Sequence, residues 1–123
     1  LGIKLIAYSP LALGILTGKY SEQGPFPKGI RGILFKQLLS GSRPLLDCVQ
    51  AIAASRHKTM SQVALNWCIA KGTIPIPGAK NVEQAQQNIG ALGWQLDAGE
   101  IAELDQAAIN VDKPMVQNIF QTK

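Results

Sequence analysis

A lysine two residues after a glycine, between an apolar run and a helical pattern, is the arrangement in this chain best suited to holding an anion. The stretch begins Ile74-Pro75-Ile76-Pro77-Gly78-Ala79-Lys80-Asn81-Val82 and continues through Gln84, Gln87 and Asn88. Gly78 lets backbone come close to a ligand, and Lys80 supplies a mobile positive charge. A helix opening near Val82 turns its first N–H groups and the positive end of its dipole toward the same space. Glycine and lysine are also ordinary turn residues, so a solvated surface turn accounts for a lone Gly-x-Lys just as well. Asn81 and Gln84 form a capping pair, which gives Gln84 a structural job beside any ligand contact; Asn88 has no such local role.

Other reactive residues form no competing constellation. His57, the only histidine, stands between Arg56 and Lys58 at the end of a helical pattern, where the dipole favours cations. No carboxylate or serine follows at a spacing that would make it a general base. Cys48 and Cys68 fall in apolar helical stretches without a Cys-x-x-Cys or histidine partner, and read as small buried hydrophobes in a reducing compartment. No metal-ligand cluster, Ser/His/Asp set or pair of acids offers a different chemistry.

Composition narrows the class. With 46% hydrophobic and 16% charged residues the chain is globular rather than disordered. Its net charge of +4 is spread singly from Lys4 to Lys123, with no basic run or stripe of the kind that nucleic acid requires. A solvated surface plus one phosphate site is the better reading. No apolar run reaches about 18 residues, so no membrane anchor is expected.

The elements that must position the site follow in order. Ile3 to Tyr8 is apolar except for Lys4 and suits a buried parallel strand, ended by Ser9-Pro10. Tyr8 there suits core packing as well as a site. Gly14 to Gly41 reads as a long glycine- and proline-rich connection, in which Lys19 and Arg31 are, as single charges, solvated by default. Pro44 fits the first turn of a packing helix whose apolar face is Leu45, Leu46, Val49, Ile52 and Ala53. Thr59 and Gln62 form a capping box for a helix to Ala70 that is apolar on almost every side. Thr73 to Pro77 contains two prolines, which argue against a central strand. Asp97 and Glu100 form a last capping box before an amphipathic helix marked by Ile101, Leu104 and Ala108, and the tail after Val111 has little pattern.

Three blocks carry a resemblance: Leu5 to Tyr20, Gln62 to Trp67 (Gln-Val-Ala-Leu-Asn-Trp), and Ile74 to Asn88. In this order they resemble the aldo-keto reductases, over nearly the whole chain. The resemblance implies an α/β fold that is part of a (β/α)8 TIM barrel, its last two strands with their helices, and makes Thr73 to Pro77 a strand. A full barrel takes about 250 residues, so residues 1–123 are expected to be the C-terminal half of one barrel domain, incomplete as a barrel. The opening at Leu1-Gly2 without an initiator Met fits a cut piece. The missing N-terminal half becomes the expected partner, and the isolated chain, with open strand edges, is expected to self-associate.

The same resemblance implies NADP as cofactor. Tyr8 would stack on the nicotinamide, and Ser9, Pro10 and Leu11 would contact the pyrophosphate. The connection after Gly14 would fold over the cofactor, with Lys19 or Arg31 available to phosphate. Gly78, Ala79 and Lys80 would form the cofactor turn, and Gln84, Gln87 and Asn88 would face the adenine end. Gln87 stands where many relatives carry Glu. The family transfers hydride between NADPH and a carbonyl substrate using Asp, Tyr, Lys and His from its first half, and none of the four maps here. The chain is thus expected to position nucleotide and to be inactive alone. A non-catalytic nucleotide-sensing or partner-binding module on the same fold is the alternative, decided by whether those four residues stand upstream. The ending Asn118 to Lys123 resembles the cyanobacterial and plastid branch, which implies the cytoplasm or the chloroplast stroma.

Overall fold

Two short strands, β1 (Leu5–Tyr8) and β2 (Thr73–Ile76), pair in parallel, with Leu5 across from Thr73 and Tyr8 across from Ile76. The computed structural model of the protein describes residues 2–20, 26 and 28–111, apart from the side chains of residues 13, 31 and 34. The expected tail beyond Val111, most of the stretch at 24–27 and the Arg31 side chain therefore lie outside the described residues.

A parallel pair needs a long crossover, and here it is helical. A 3-10 helix (Ala12–Thr17) follows β1, then come α1 (Ile30–Gly41), α2 (Arg43–Arg56) and α3 (Met60–Ala70). After β2 come α4 (Val82–Ile89) and α5 (Ala98–Ile109). The described residues thus form a mixed α/β unit with a two-stranded sheet, not a closed barrel. Pro75 does sit in a strand, across from Ala7. With one neighbouring strand, alternate residues have no ladder bond to give, and proline is tolerated.

The expected connection from Gly14 to Gly41 is corrected: its first residues belong to the 3-10 helix and its last twelve are α1. Phe35, Leu38 and Leu39, spaced three and four apart, are buried on one face of α1. That apolar spacing outweighs the glycines at 29, 32 and 41. Pro44 has no N–H for the carbonyl of Ser40, so the chain breaks at Ser42 and restarts as α2.

The core lies among helices. Ile15 and Leu16 of the 3-10 helix meet Phe35 and Leu39 of α1, Val49 and Ile52 of α2, Val63 of α3 and Leu104 of α5. Both capping boxes form as expected, at Thr59 with Gln62 and at Asp97 with Glu100. His57 ends α2 in the left-handed region (φ 54°), a C-cap geometry usually given to glycine. Cys48 and Cys68 are unpaired and half-buried, and burial pushes both thiols up, away from the reactive thiolate. No helix among the described residues is long and apolar enough to cross a membrane.

Two polar ties hold α5 against the crossover. Arg56 reaches Glu100 through Nε (2.8 Å) and Nη2 (2.7 Å), with Asp97 at 3.4 Å. Asp105 accepts from Trp67 Nε1 at 2.9 Å and pairs with Lys71 at 2.7 Å. The hydrogen bond from Arg56 holds the Glu100 carboxyl below the usual carboxylate range, and the bonds from Lys71 and Trp67 do the same for Asp105. Because both folded values are depressed, the stability they contribute is present above the unfolded carboxylate pKa, near 4, and is lost as pH falls through the folded values. In the full-length protein the contribution of these two ties to the melting temperature is therefore expected to be flat from pH 7 to about 5 and to fall away below about pH 4. Glu100→Gln should lower the plateau and reduce the acid-dependent drop; an unchanged slope would show that the Arg56 tie contributes nothing.

Candidate nucleotide site

A cleft of about 990 Å³ opens at the C-terminal ends of β1 and β2. Ser9, Pro10 and Leu11 form the wall that leaves β1; Gly78, Ala79 and Lys80 form the wall that leaves β2; and Gln84, Gln87 and Asn88 come from α4. The structure thus brings nine of the ten predicted residues to one space. Tyr8 is not among the lining residues. It stands with Ile6, Ile74 and Ile76 on an exposed face of the sheet, 57% accessible, so the described residues do not pack it in a core.

The first wall is bent by two non-glycine residues in left-handed geometry, Ser9 (φ 49°) and Ala12 (φ 51°). Each costs on the order of 1 kcal/mol. The bend is closed by Ala12 N–H donating to the Ser9 carbonyl at 2.9 Å and Gly14 N–H to that of Leu11 at 2.9 Å. Ala12, Ile15 and Leu16 then anchor it in the core. Lys19 also lines the cleft, its ammonium 5.7 Å above the Tyr20 ring, and Tyr20 packs edge-on against Phe35 at 5.0 Å.

The second wall is a tight turn tied to α4. Asn81 caps the helix by accepting from Gln84 N–H at 2.8 Å, as the capping pair predicts. The reciprocal bond differs: Gln84 Oε1 accepts from Lys80 N–H at 2.8 Å rather than from Asn81. Asn88 Nδ2 donates to the Gly78 carbonyl at 3.3 Å. Two N–H groups near this helix start are therefore satisfied by side chains, and fewer remain for a ligand than the sequence suggests.

Thr17, Tyr20, Thr59 and Ser61 also line the cleft and were not singled out as site residues by the sequence. Thr59 and Ser61 arrive from the start of α3, some fifty residues from the first wall, so no local pattern marks them. Among the described residues, two lysines, several hydroxyls and amides and no carboxylate line the space, which suits a phosphorylated nucleotide. A shallower groove between α2 and α5, lined by Pro44, Cys48 and Glu103, is apolar with an acid and, among the described residues, no cation, and does not suit an anion. No group of three or more potential metal ligands occurs among the described residues.

Residues 1–109 match the model of the aldo/keto reductase family. The chain belongs to that family. The chloroplastic pyridoxal reductase of Arabidopsis thaliana is 56% identical over 123 residues, covering 100% of this chain and 33% of its own length. Aldo-keto reductase str7 of Strobilurus tenacellus is 33% identical over 96% of this chain and 37% of its own length. Aldo-keto reductase yakc of Schizosaccharomyces pombe, whose name carries NADP(+), is 31% identical over 89% of this chain and 34% of its own length. This aldo/keto reductase chain thus spans about a third of the length of these relatives.

Proposed function

We propose that the chain is the C-terminal, NADP(H)-binding part of an oxidoreductase that transfers hydride between NADPH and a carbonyl substrate within a (β/α)8 barrel. The observation that carries this reading is the cleft: it gathers two lysines, the turn Gly78-Ala79-Lys80 and the amides of α4 at the C-terminal ends of two parallel strands. That end is where barrels of this type place their chemistry. When bound, the nicotinamide supplies the hydride; these residues bind and orient the nucleotide and leave proton transfer to residues outside the chain. Tyr8 lies on the face that a closed barrel would turn inward, at the strand's C-terminal end, where it could meet the nicotinamide ring. A pyridoxal-like aromatic aldehyde is the first substrate to test, because the 56% identical relative is a pyridoxal reductase. If the parent is a plastid protein of that branch, it works in the stroma.

A chain of this kind needs its remaining barrel. Ile6, Tyr8, Ile74 and Ile76 on the sheet and Val82 and Ile89 on α4 are all about half exposed or more. In isolation the 123 residues are expected to self-associate and not to oxidise NADPH with any aldehyde. The full-length protein should do so with pyridoxal or a related aldehyde. Sedimentation and a spectrophotometric NADPH assay test both statements. A compact monomer by sedimentation, or turnover by the chain alone, overturns the half-barrel reading, and a full-length protein that binds NADPH without turnover supports the sensor alternative.

A further inference from the structure

We infer that Gln62 and Asn66 of α3 are positioning residues that set the pose of α4 and thereby the affinity for NADP(H); this rests on the nucleotide reading of the cleft. α4 is only eight residues long and has no fully buried side chain, so apolar packing among the described residues does not define where it sits. Polar anchors from α3 do. Gln62 uses both ends of its amide: Oε1 accepts from Thr59 N–H at 3.0 Å within the capping box, and Nε2 donates to the Gln87 carbonyl at 3.1 Å. One turn on, the buried Asn66 donates to the carbonyls of Ala91 and Trp94, both at 2.9 Å, and accepts from Leu96 N–H at 3.1 Å. The two residues lie on one face of α3, and together they hold the last turn of α4 and the segment that leaves it.

Gly90 makes this possible. A Cβ there would collide with Gln62 Nε2, so the glycine keeps open the path from α3 to the Gln87 carbonyl. Gln87 itself links anchor to ligand: its backbone carbonyl is held by Gln62, and the residue lines the cleft beside Gln84 and Asn88. A shift of α4 along this seat would move those amides and the turn tied to them through Gln84 and Asn88.

The test uses the full-length protein and four variants, one of them a double substitution. Gln62→Glu keeps an acceptor for Thr59 N–H but turns a carboxylate oxygen toward the Gln87 carbonyl, so it breaks the link to α4 without breaking the cap. Its NADPH dissociation constant by titration is expected to rise about 2- to 10-fold, the loss of one hydrogen bond, with kcat at saturating NADPH unchanged. Gly90→Ala should weaken binding similarly in the wild-type background and have a smaller effect in a Gln62→Ala background, where the clash with the amide is gone and the close approach to the Gln87 carbonyl is what remains. A folding role alone would lower the melting temperature without this split or this non-additivity. Wild-type affinity in folded Gln62→Glu, or additive losses from Gly90→Ala and Gln62→Ala, overturns the assignment. Failure of the wild type to bind NADPH overturns the reading of the cleft and the assignment with it.

Discussion

Lys80→Ala in the full-length protein is expected to weaken NADP binding by about 1.5–3 kcal/mol, roughly 10- to 150-fold, and to leave NAD binding almost untouched. The 2′-phosphate that distinguishes the two nucleotides carries close to two negative charges. Lys80 is exposed at the cleft's second wall and forms no ion pair among the described residues, so its charge is available to a ligand. Among the described residues no carboxylate lines the cleft to hold a ribose 2′-hydroxyl in its place; Glu83, in the first turn of α4, is not among the lining residues. Because the N–H groups of Lys80 and Gln84 are already bonded within the protein, the side-chain cation carries more of the recognition than the helix start does. An exposed contact between charges is screened, so the preference for NADP should shrink as salt rises. Isothermal titration of both nucleotides to wild type and variant decides it. Equal losses for NAD and NADP would show that Lys80 does not read the 2′-phosphate.

What the sequence disclosed and what it hid follow from the range of the interactions. Capping boxes are signals three residues long, so Thr59 with Gln62 and Asp97 with Glu100 could be read directly and both form. The turn around Lys80 was legible as a local pattern, and its grouping with Ser9, Pro10 and Leu11 only through resemblance, because nearly seventy residues separate the two walls. α1 was missed because its glycines and flanking prolines masked the spacing of Phe35, Leu38 and Leu39. β2 carries a proline that local rules hold against a strand. The bent loop at Ser9 and Ala12 was invisible, since neither residue type signals a left-handed backbone. The second job of Gln62 depends on a carbonyl 25 residues away, and Asn66 likewise bonds across 25 to 30 residues, which no local pattern encodes.

Leu104→Ala is expected to destabilise the folded protein by about 2–5 kcal/mol while leaving nucleotide discrimination intact. Leu104 is fully buried and is the one buried side chain of α5, packed in the core that includes Val49 and Ile52 of α2. The polar ties at Glu100 and Asp105 sit on either side of it and keep α5 docked in the variant, so the space left by the missing side chain is not readily closed by the helix moving in. A cavity then adds to the lost transfer energy, which places the cost toward the upper part of that range. Ile101→Ala, at a half-buried position on the same helix, should cost less. No residue of α5 lines the nucleotide cleft, so the ratio of NAD to NADP affinities should equal that of wild type, and saturating NADPH should raise the melting temperature of both proteins by a similar amount. Denaturant unfolding of the full-length protein, with and without nucleotide, measures both quantities. An unchanged midpoint for Leu104→Ala would mean that α5 is not docked through Leu104, and an altered nucleotide ratio would mean that α5 is coupled to the cleft.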